Sequence, residues 1–216
     1  MRMASKLIES IQEAKKGKER KFNESLEVAF NLKDIDMADP KNRINEEIVL
    51  PNGRGKEIKV ALFSSDEMKQ KVKNADYLYS LEDLNNFIDD KKAFKKLVNN
   101  IDFFVAEATM MGNIGKNLGI ILGPRGKMPK PVPAGQDPTA MIDNLKKSVR
   151  ARSRDKKTFH VPIGVKTMDD QTLLQNFNAV IKRIVSHMEK GKGNITSLYI
   201  KSTMGKAVNV NLGDIE

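Results

Sequence analysis

Two kinds of hydrophobic spacing alternate along the chain. The apolar positions of residues 3–16 are spaced as on one face of an amphipathic helix. Residues 26–32 instead alternate apolar and polar side chains, which is typical of a half-buried strand. The turn sequence PNGRG at 51–55 lies within 48–63, where we predict a strand, a turn and a second strand.

The middle of the chain has a different hydrophobic pattern, with short helical patterns between strand-like runs. The helical patterns occupy 66–73, 81–87, 91–99 and 140–149, and the runs occupy 77–79, 103–106 and 120–122. The run at 103–106 is apolar on both faces, as a buried parallel strand is. This alternation predicts a small parallel α/β domain with right-handed crossovers.

Alternation of apolar and polar side chains returns after the basic stretch 150–157. Strand patterns occupy 160–163, 197–201 and 208–212, and the longest predicted helix spans 169–188. The two flanks resemble each other more than either resembles the middle. The predicted fold class is therefore α+β with an α/β insertion: a discontinuous domain of residues 1–64 and 155–216, and a second domain inserted at 65–154.

Charge sharpens this division. The 216 residues include 38 Lys and Arg against 28 Asp and Glu, a formal net charge of +10 and a pI near 9.6. Residues 108–154 hold a net +7 of this excess, and no acid lies between Glu107 and Asp137 or between Glu189 and Asp214. Acid-free stretches with spaced Lys and Arg favour a phosphate backbone as partner. The alternative interpretation is a solvated basic face.

Composition excludes several classes of protein. With 39% hydrophobic residues the chain can bury a core, so wholesale disorder is not expected. No apolar run approaches the roughly 18 residues of a membrane span, and the charged N-terminus lacks the apolar stretch of a signal peptide. The absence of cysteine excludes disulfides, thiolate zinc sites and cysteine nucleophiles, and it fits a cytoplasmic protein.

No catalytic pattern emerges. His160 and His187 are the only histidines, and neither lies in an H-E-x-x-H motif. The Gly-Lys pairs at 115, 126 and 205 lack the upstream glycine of a phosphate-binding loop, and no G-x-G-x-x-G follows a strand. We therefore expect no enzyme, no cofactor and no metal.

Two segments stand out. GIILGPRGKMPKPVP, at 119–133, predicts a rigid basic loop because glycine permits positive φ and proline fixes φ. The alternative is a structural linker between a strand and a helix. STMG, at 202–205, could hydrogen-bond to RNA 2′-hydroxyl groups, although by itself it is only a turn.

Taken together, KFNESLEVAFNL (21–32), LPNGRGK (50–56), GKNLGIILGPRGKMPKPVP (115–133), FHVPIGVK (159–166) and STMG (202–205) resemble the large-subunit ribosomal protein L-one family, in its archaeal form. The resemblance covers essentially the whole chain. LGPRGKMPKP is its most specific motif, and the order and spacing of the others reinforce it.

The resemblance implies an RNA-binding domain containing both termini and a Rossmann-like three-layer insertion without a nucleotide site. It implies binding to large-subunit ribosomal RNA at the mobile stalk near the tRNA exit site, assistance in release of deacylated tRNA, and repression of the protein's own messenger RNA. The partners would be these RNAs, with no membrane, and the free protein would be a monomer.

The resemblance also assigns site residues by position. The RNA-binding residues are Lys21, Phe22, Glu27, His160, Gly164, Lys166, Ser202, Thr203, Met204 and Gly205. Secondary contacts are assigned to Lys116, Arg125, Lys127 and Lys130 in the glycine-rich block.

Two other functions remain open at this point. A Rossmann-type enzyme would use the middle domain and bind a nucleotide tightly. A general basic RNA chaperone would bind unrelated RNAs equally well at physiological salt, because its affinity would come from phosphate contacts alone.

Overall fold

The computed structural model describes residues 2–18, 20–70, 72, 74–133 and 135–215. Its α-helices are α1 (Arg2–Lys15), α2 (Asp66–Lys69), α3 (Leu81–Asp89), α4 (Lys91–Asn100), α5 (Ala108–Arg125), α6 (Thr139–Lys146) and α7 (Asp170–His187). Its strands are β1 (Ser25–Leu32), β2 (Asn45–Val49), β3 (Val60–Phe63), β4 (Tyr77–Tyr79), β5 (Phe103–Glu107), β6 (Lys130–Val132), β7 (Ser148–Arg152), β8 (Thr158–Val165), β9 (Ile195–Ser202) and β10 (Val208–Val210). Short 3-10 turns occupy Pro40–Asn42, Gly191–Asn194 and Leu212–Asp214.

The chain divides into two compact units. The flanking unit comprises residues 1–56 and 147–216, and the middle unit comprises residues 57–146. The predicted boundaries were 64/65 and 154/155, and each observed boundary lies eight residues earlier. Strand pairing is the reason, because β3 pairs in parallel with β4 and β5 whereas β7 pairs antiparallel with β2.

The flanking unit contains a four-stranded antiparallel sheet in the order β10-β9-β1-β8. Helices α1 and α7 pack on it, and their apolar faces share one core with alternate residues of β1, β8 and β9. Phe30 of β1 lies opposite Phe159 of β8, and their rings stack with centroids 4.9 Å apart. The period-two pattern of the sequence therefore predicted these strands well.

The middle unit contains a parallel sheet in the order β4-β3-β5-β6. Alternate residues of its strands enter two separate cores. Ala61 and Phe63 pack with α3, α4 and α5, while Val60 and Leu62 pack with α6. The described part of the chain thus has a mixed α/β fold with several sheets, and the middle sheet is covered on both faces.

The predicted loop at 119–133 is wrong in its first half. Residues 119–125 continue α5, and the strand-like run at 120–122 lies inside this helix. Four glycines and Pro124 obscured a helical spacing that its buried side chains do show: Met110, Ile114, Leu118, Ile121 and Leu122. Gly126 ends the helix with φ of +67°, a left-handed conformation that glycine adopts without steric cost.

Three smaller predictions also require correction. The helix predicted at 140–149 ends at Lys146, and Ser148 begins β7. The helix predicted at 66–73 ends at Lys69, and Lys71 and Lys73 lie outside the described residues. The two strands predicted within 48–63 exist, but they pair with different sheets, so the turn between them does not join a hairpin.

Candidate nucleic-acid interface

Three of the predicted RNA-binding segments meet at one end of the flanking sheet. The end of β8 and the end of β9 lie on either side of the start of β1, where Leu26 faces both Gly164 and Ser202. The backbone N–H of Thr203 donates to Ser25 O at 3.0 Å, and Ser25 N–H donates to Thr203 Oγ1 at 3.2 Å. These paired hydrogen bonds hold the turn after β9 against the segment before β1.

Glu24 connects all three segments, and sequence reasoning did not single it out. Its side chain is only 5% exposed, and Oε1 accepts a hydrogen bond from Met204 N–H at 3.0 Å. Its other oxygen, Oε2, lies 3.5 Å from Lys166 Nζ, and its backbone oxygen accepts from Lys166 N–H at 2.9 Å. A single glutamate before a strand belongs to no motif, so only its position in the fold shows this connection.

Two glycines allow close packing beneath this surface. A Cβ at Gly205 would collide with Ser202 Oγ, and a Cβ at Gly164 would lie 2.6 Å from Leu173 Cδ2 and 2.8 Å from Met168 Sδ. Ser202 itself is 2% exposed and supports the turn from below. These residues shape the surface.

Two of the side chains that reach solvent here are large and apolar. Phe22 is 54% exposed and Met204 is 62% exposed, an unusual exposure for side chains of this size. Lys21 is also exposed beside Phe22, whereas Lys166 is held partly against Glu24. The end of the sheet therefore offers two apolar projections above a network of backbone hydrogen bonds, with lysines around it.

Glu27 and His160 lie further along the same sheet. Glu27 is half-buried on β1 opposite Pro162 and Lys201, and His160 is exposed on β8 opposite Ala29. The second histidine, His187, lies on α7, where its Nδ1 is 3.0 Å from Glu46 Oε1. The structure thus separates the two histidines.

The predicted secondary residues all belong to the middle unit. Lys116 is exposed on α5, and Arg125 at its end donates from Nη1 to Ile121 O at 3.1 Å. Lys127 Nζ donates to Val98 O at 2.8 Å and to Ile101 O at 2.6 Å, so its ammonium binds carbonyl groups at the end of α4. Lys130 is half-buried on β6.

The middle unit also has a cavity where a Rossmann-type enzyme would bind a nucleotide. It measures about 120 Å³ and lies beside Ser65 and Glu107, which follow and end the strands β3 and β5. Its lining includes the carboxylates of Glu67, Glu107 and Asp137. The backbone N–H of Ser65 lowers the pKa of Glu107 by hydrogen bonding, so this carboxyl stays negative. Such a lining repels phosphate groups, which argues against the enzyme alternative.

In the parts of the chain that the structure describes, no helix combines the length and the apolar character needed to cross a membrane. The same residues contain no cluster of three or more histidine, aspartate or glutamate side chains arranged for a metal ion.

Comparison with known proteins identifies the family. The ribosomal protein L1p/L10e family matches residues 14–206. A Picrophilus torridus protein named large ribosomal subunit protein uL1 is 65% identical over 208 residues, which cover 96% of this chain and 97% of that protein. The protein of the same name from Thermoplasma volcanium is 56% identical over 97% of this chain and 96% of its own length. The one from Archaeoglobus fulgidus is 44% identical over 95% of this chain and 97% of its own length.

These findings confirm the predicted resemblance in its archaeal form. They also confirm, from the nature of the family, that the protein is not an enzyme and that it is located in the ribosome, in the cytoplasm. Binding to ribosomal RNA is general in this family. The chain belongs to the ribosomal protein L1p/L10e family.

Proposed function

We propose that the protein binds large-subunit ribosomal RNA at the mobile stalk near the tRNA exit site through the end of the flanking sheet described above. The observation that carries this proposal is the connection made by Glu24. One buried carboxylate holds Met204 and Lys166 in place, and Thr203 pairs with Ser25 next to it. Three separate stretches of chain thereby form one preorganised surface.

The chemistry of this surface suits recognition of RNA shape. Phe22 and Met204 exclude water from the contact, while hydroxyl and backbone groups beside them can bond to ribose. A fixed surface of this kind loses little conformational entropy on binding. The charges of the middle unit, Lys116 above all, add affinity through phosphates and therefore a dependence on salt.

The proposal extends to two activities that use the same surface. An RNA structure in the protein's own messenger that resembles the ribosomal site would compete for it, and binding there would repress translation. On the ribosome, the protein would assist release of deacylated tRNA from the exit site. We propose that the free protein is a monomer, with these RNAs as its partners.

A binding assay on the isolated ribosomal stalk RNA tests the proposal. The wild-type protein should bind this fragment far more tightly than a scrambled helix of the same length at physiological salt. Equal competition by the scrambled RNA would instead identify a general RNA chaperone. Glu24→Ala should weaken specific binding about 10-fold, because it frees the Met204 N–H and removes the partner of Lys166.

Two variants make the assay specific. Glu24→Gln keeps an oxygen that can accept from Met204 N–H and should retain more affinity than Glu24→Ala. Glu13→Ala removes an exposed acid of α1 and should bind like the wild type. Loss of affinity in Glu13→Ala equal to that in Glu24→Ala would show that the effect does not depend on the position of the acid and would contradict the proposed site.

A further inference from the structure

The flanking sheet has a second face, opposite the core that it forms with α1 and α7. Alternation along the strands places Leu26, Val28 and Phe30 of β1 in the core. Its intervening residues, Glu27, Ala29 and Asn31, therefore point to the other side. The register of the sheet identifies their neighbours on β8, β9 and β10, and every one of these neighbours is exposed or half-buried.

Four residues lie side by side across this face, one on each strand, and we call such a set a row. This row includes the rings of Tyr199 and His160. Ala29 lies directly opposite Tyr199 on β9 and opposite His160 on β8, and Asn209 on β10 lies opposite Tyr199. Since neighbouring strands are about 4.8 Å apart, the two ring-bearing positions are separated by about 10 Å. The small Ala29 side chain lies between them and is 8% exposed. The Tyr199 side chain has no hydrogen-bond partner among the described residues.

The rows on either side are polar. Asn31 Nδ2 donates to Ser197 Oγ at 2.9 Å, and Thr158 Oγ1 donates to Asn31 Oδ1 at 2.8 Å. On the other side, Lys201 and Pro162 flank Glu27. An apolar protein partner would find no large aliphatic side chain on these three rows. A flat face of rings, amides and hydroxyls instead matches a nucleic-acid base, which stacks with its plane and hydrogen-bonds with its edge.

The face is also continuous with the proposed RNA site. Lys201 directly precedes Ser202, and Glu27 and His160 belong to both surfaces. An RNA held at the Met204 turn can therefore extend a strand across the sheet without leaving the protein. This continuity favours RNA over a separate partner.

We propose that an unpaired nucleotide of the bound RNA stacks on Tyr199, above Ala29 and facing His160. This inference rests on the proposed function, which it deepens by naming a single-stranded element within the ligand. Double-stranded RNA cannot make this contact, because its bases are already stacked and paired.

Tyrosine fluorescence provides a direct measurement. The chain contains three tyrosines and no tryptophan, so the variant Tyr77→Phe/Tyr79→Phe emits only from Tyr199. The stalk RNA fragment, with its unpaired nucleotides, should quench this emission in a saturable way. A fully paired duplex of equal absorbance should quench much less and serves as the control. Binding of the fragment without quenching would overturn the inference.

Affinity supplies a second test. Tyr199→Leu should weaken binding of the stalk fragment about 10-fold, and Tyr199→Phe should bind within about twofold of the wild type, because it keeps the ring. Tyr77→Leu, at a half-buried strand tyrosine of the middle unit, is the matched control and should leave affinity unchanged. Circular dichroism melting verifies that each variant folds, and the quenching test does not depend on Tyr199→Leu.

The outcomes separate the two proposals. Failure of the wild type to prefer the stalk fragment over a scrambled helix would overturn the proposed function. Preference for the fragment, with loss of affinity in Met204→Ala but none in Tyr199→Leu, would overturn only the stacking of a base on Tyr199.

Discussion

The turn at 202–205 and the glycine-rich block at 119–133 differ in which of their side chains face solvent and which bind within the protein. At the end of the flanking sheet, polar groups bind each other through Glu24 and Thr203, and apolar side chains face solvent. In the glycine-rich block of the middle unit, charged side chains are dense, yet Lys127 and Arg125 donate to backbone carbonyl groups of their own unit. The more specific motif is thus partly structural, while an unremarkable turn has the more preorganised surface.

The largest expected effect comes from breaking that surface. Gly205→Ala should lower affinity for the stalk RNA about 100-fold, because the new Cβ collides with Ser202 Oγ and forces the turn to shift. The double variant Ser202→Ala/Gly205→Ala should recover most of this affinity, since it removes the oxygen that the methyl group meets. Filter binding at fixed salt measures both.

Gly193→Ala is the matched control for this variant. A Cβ at Gly193 meets nothing closer than 3.6 Å, and the residue lies in a different turn of the same unit. It should bind RNA like the wild type. Failure of the double variant to recover affinity would show that the turn is not held in shape by the contact between Gly205 and Ser202.

An intermediate effect should distinguish two lysines of the middle unit. Lys116→Ala should reduce the slope of log affinity against log salt by about one unit, as expected for one lost phosphate contact. Lys127→Ala should instead lower the free energy of unfolding by about 1–2 kcal/mol, because two carbonyl oxygens of α4 and its end lose a charged donor. Salt titrations and denaturant melts make the comparison.

Lys95→Ala removes an exposed lysine of α4 and controls for the loss of one positive charge. A salt slope that changes more in Lys127→Ala than in Lys116→Ala would reverse the assignment of roles.

The smallest effect concerns an ion pair between α1 and α7, the two helices that pack on the flanking sheet. Lys15 on α1 forms an ion pair with Asp170 on α7, and its Nζ also donates to Met168 O at 2.6 Å. Hydrogen bonds from Lys15 and Gln12 lower the pKa of Asp170 below its ordinary value of 3.8. Because the folded pKa is lowered, this stabilisation is complete above the ordinary value and is lost as the pH falls through the folded pKa.

Asp170→Asn should therefore destabilise the protein by about 1 kcal/mol at pH 7, and the difference from the wild type should shrink below about pH 4. Thermal melts across this pH range measure it. A difference that grows on acidification would contradict the assignment. RNA affinity at pH 7 should change little, which contrasts with Gly205→Ala.

The period and alternation of hydrophobic residues predicted much of the secondary structure but little of the pairing between strands. The strand patterns of β1, β8 and β9 and the long helix α7 were evident because each buries one regular face. Helix α5 was missed because glycines interrupt its apolar spacing, and the partners of β2 and β3 depend on contacts about 40–100 residues away. Glu24 was invisible for the same reason: its meaning depends on Met204 and Lys166, far along the chain.

The central position of β1 in the flanking sheet has a consequence for biosynthesis. Leu26 pairs with Gly164 and Ser202, so β1 acquires these neighbours only after the whole middle unit has been translated. The middle unit is continuous in sequence and can collapse while the chain is still growing. The growing chain would therefore acquire its RNA-binding surface only after β9 has been translated, which keeps shorter nascent chains from occupying ribosomal RNA.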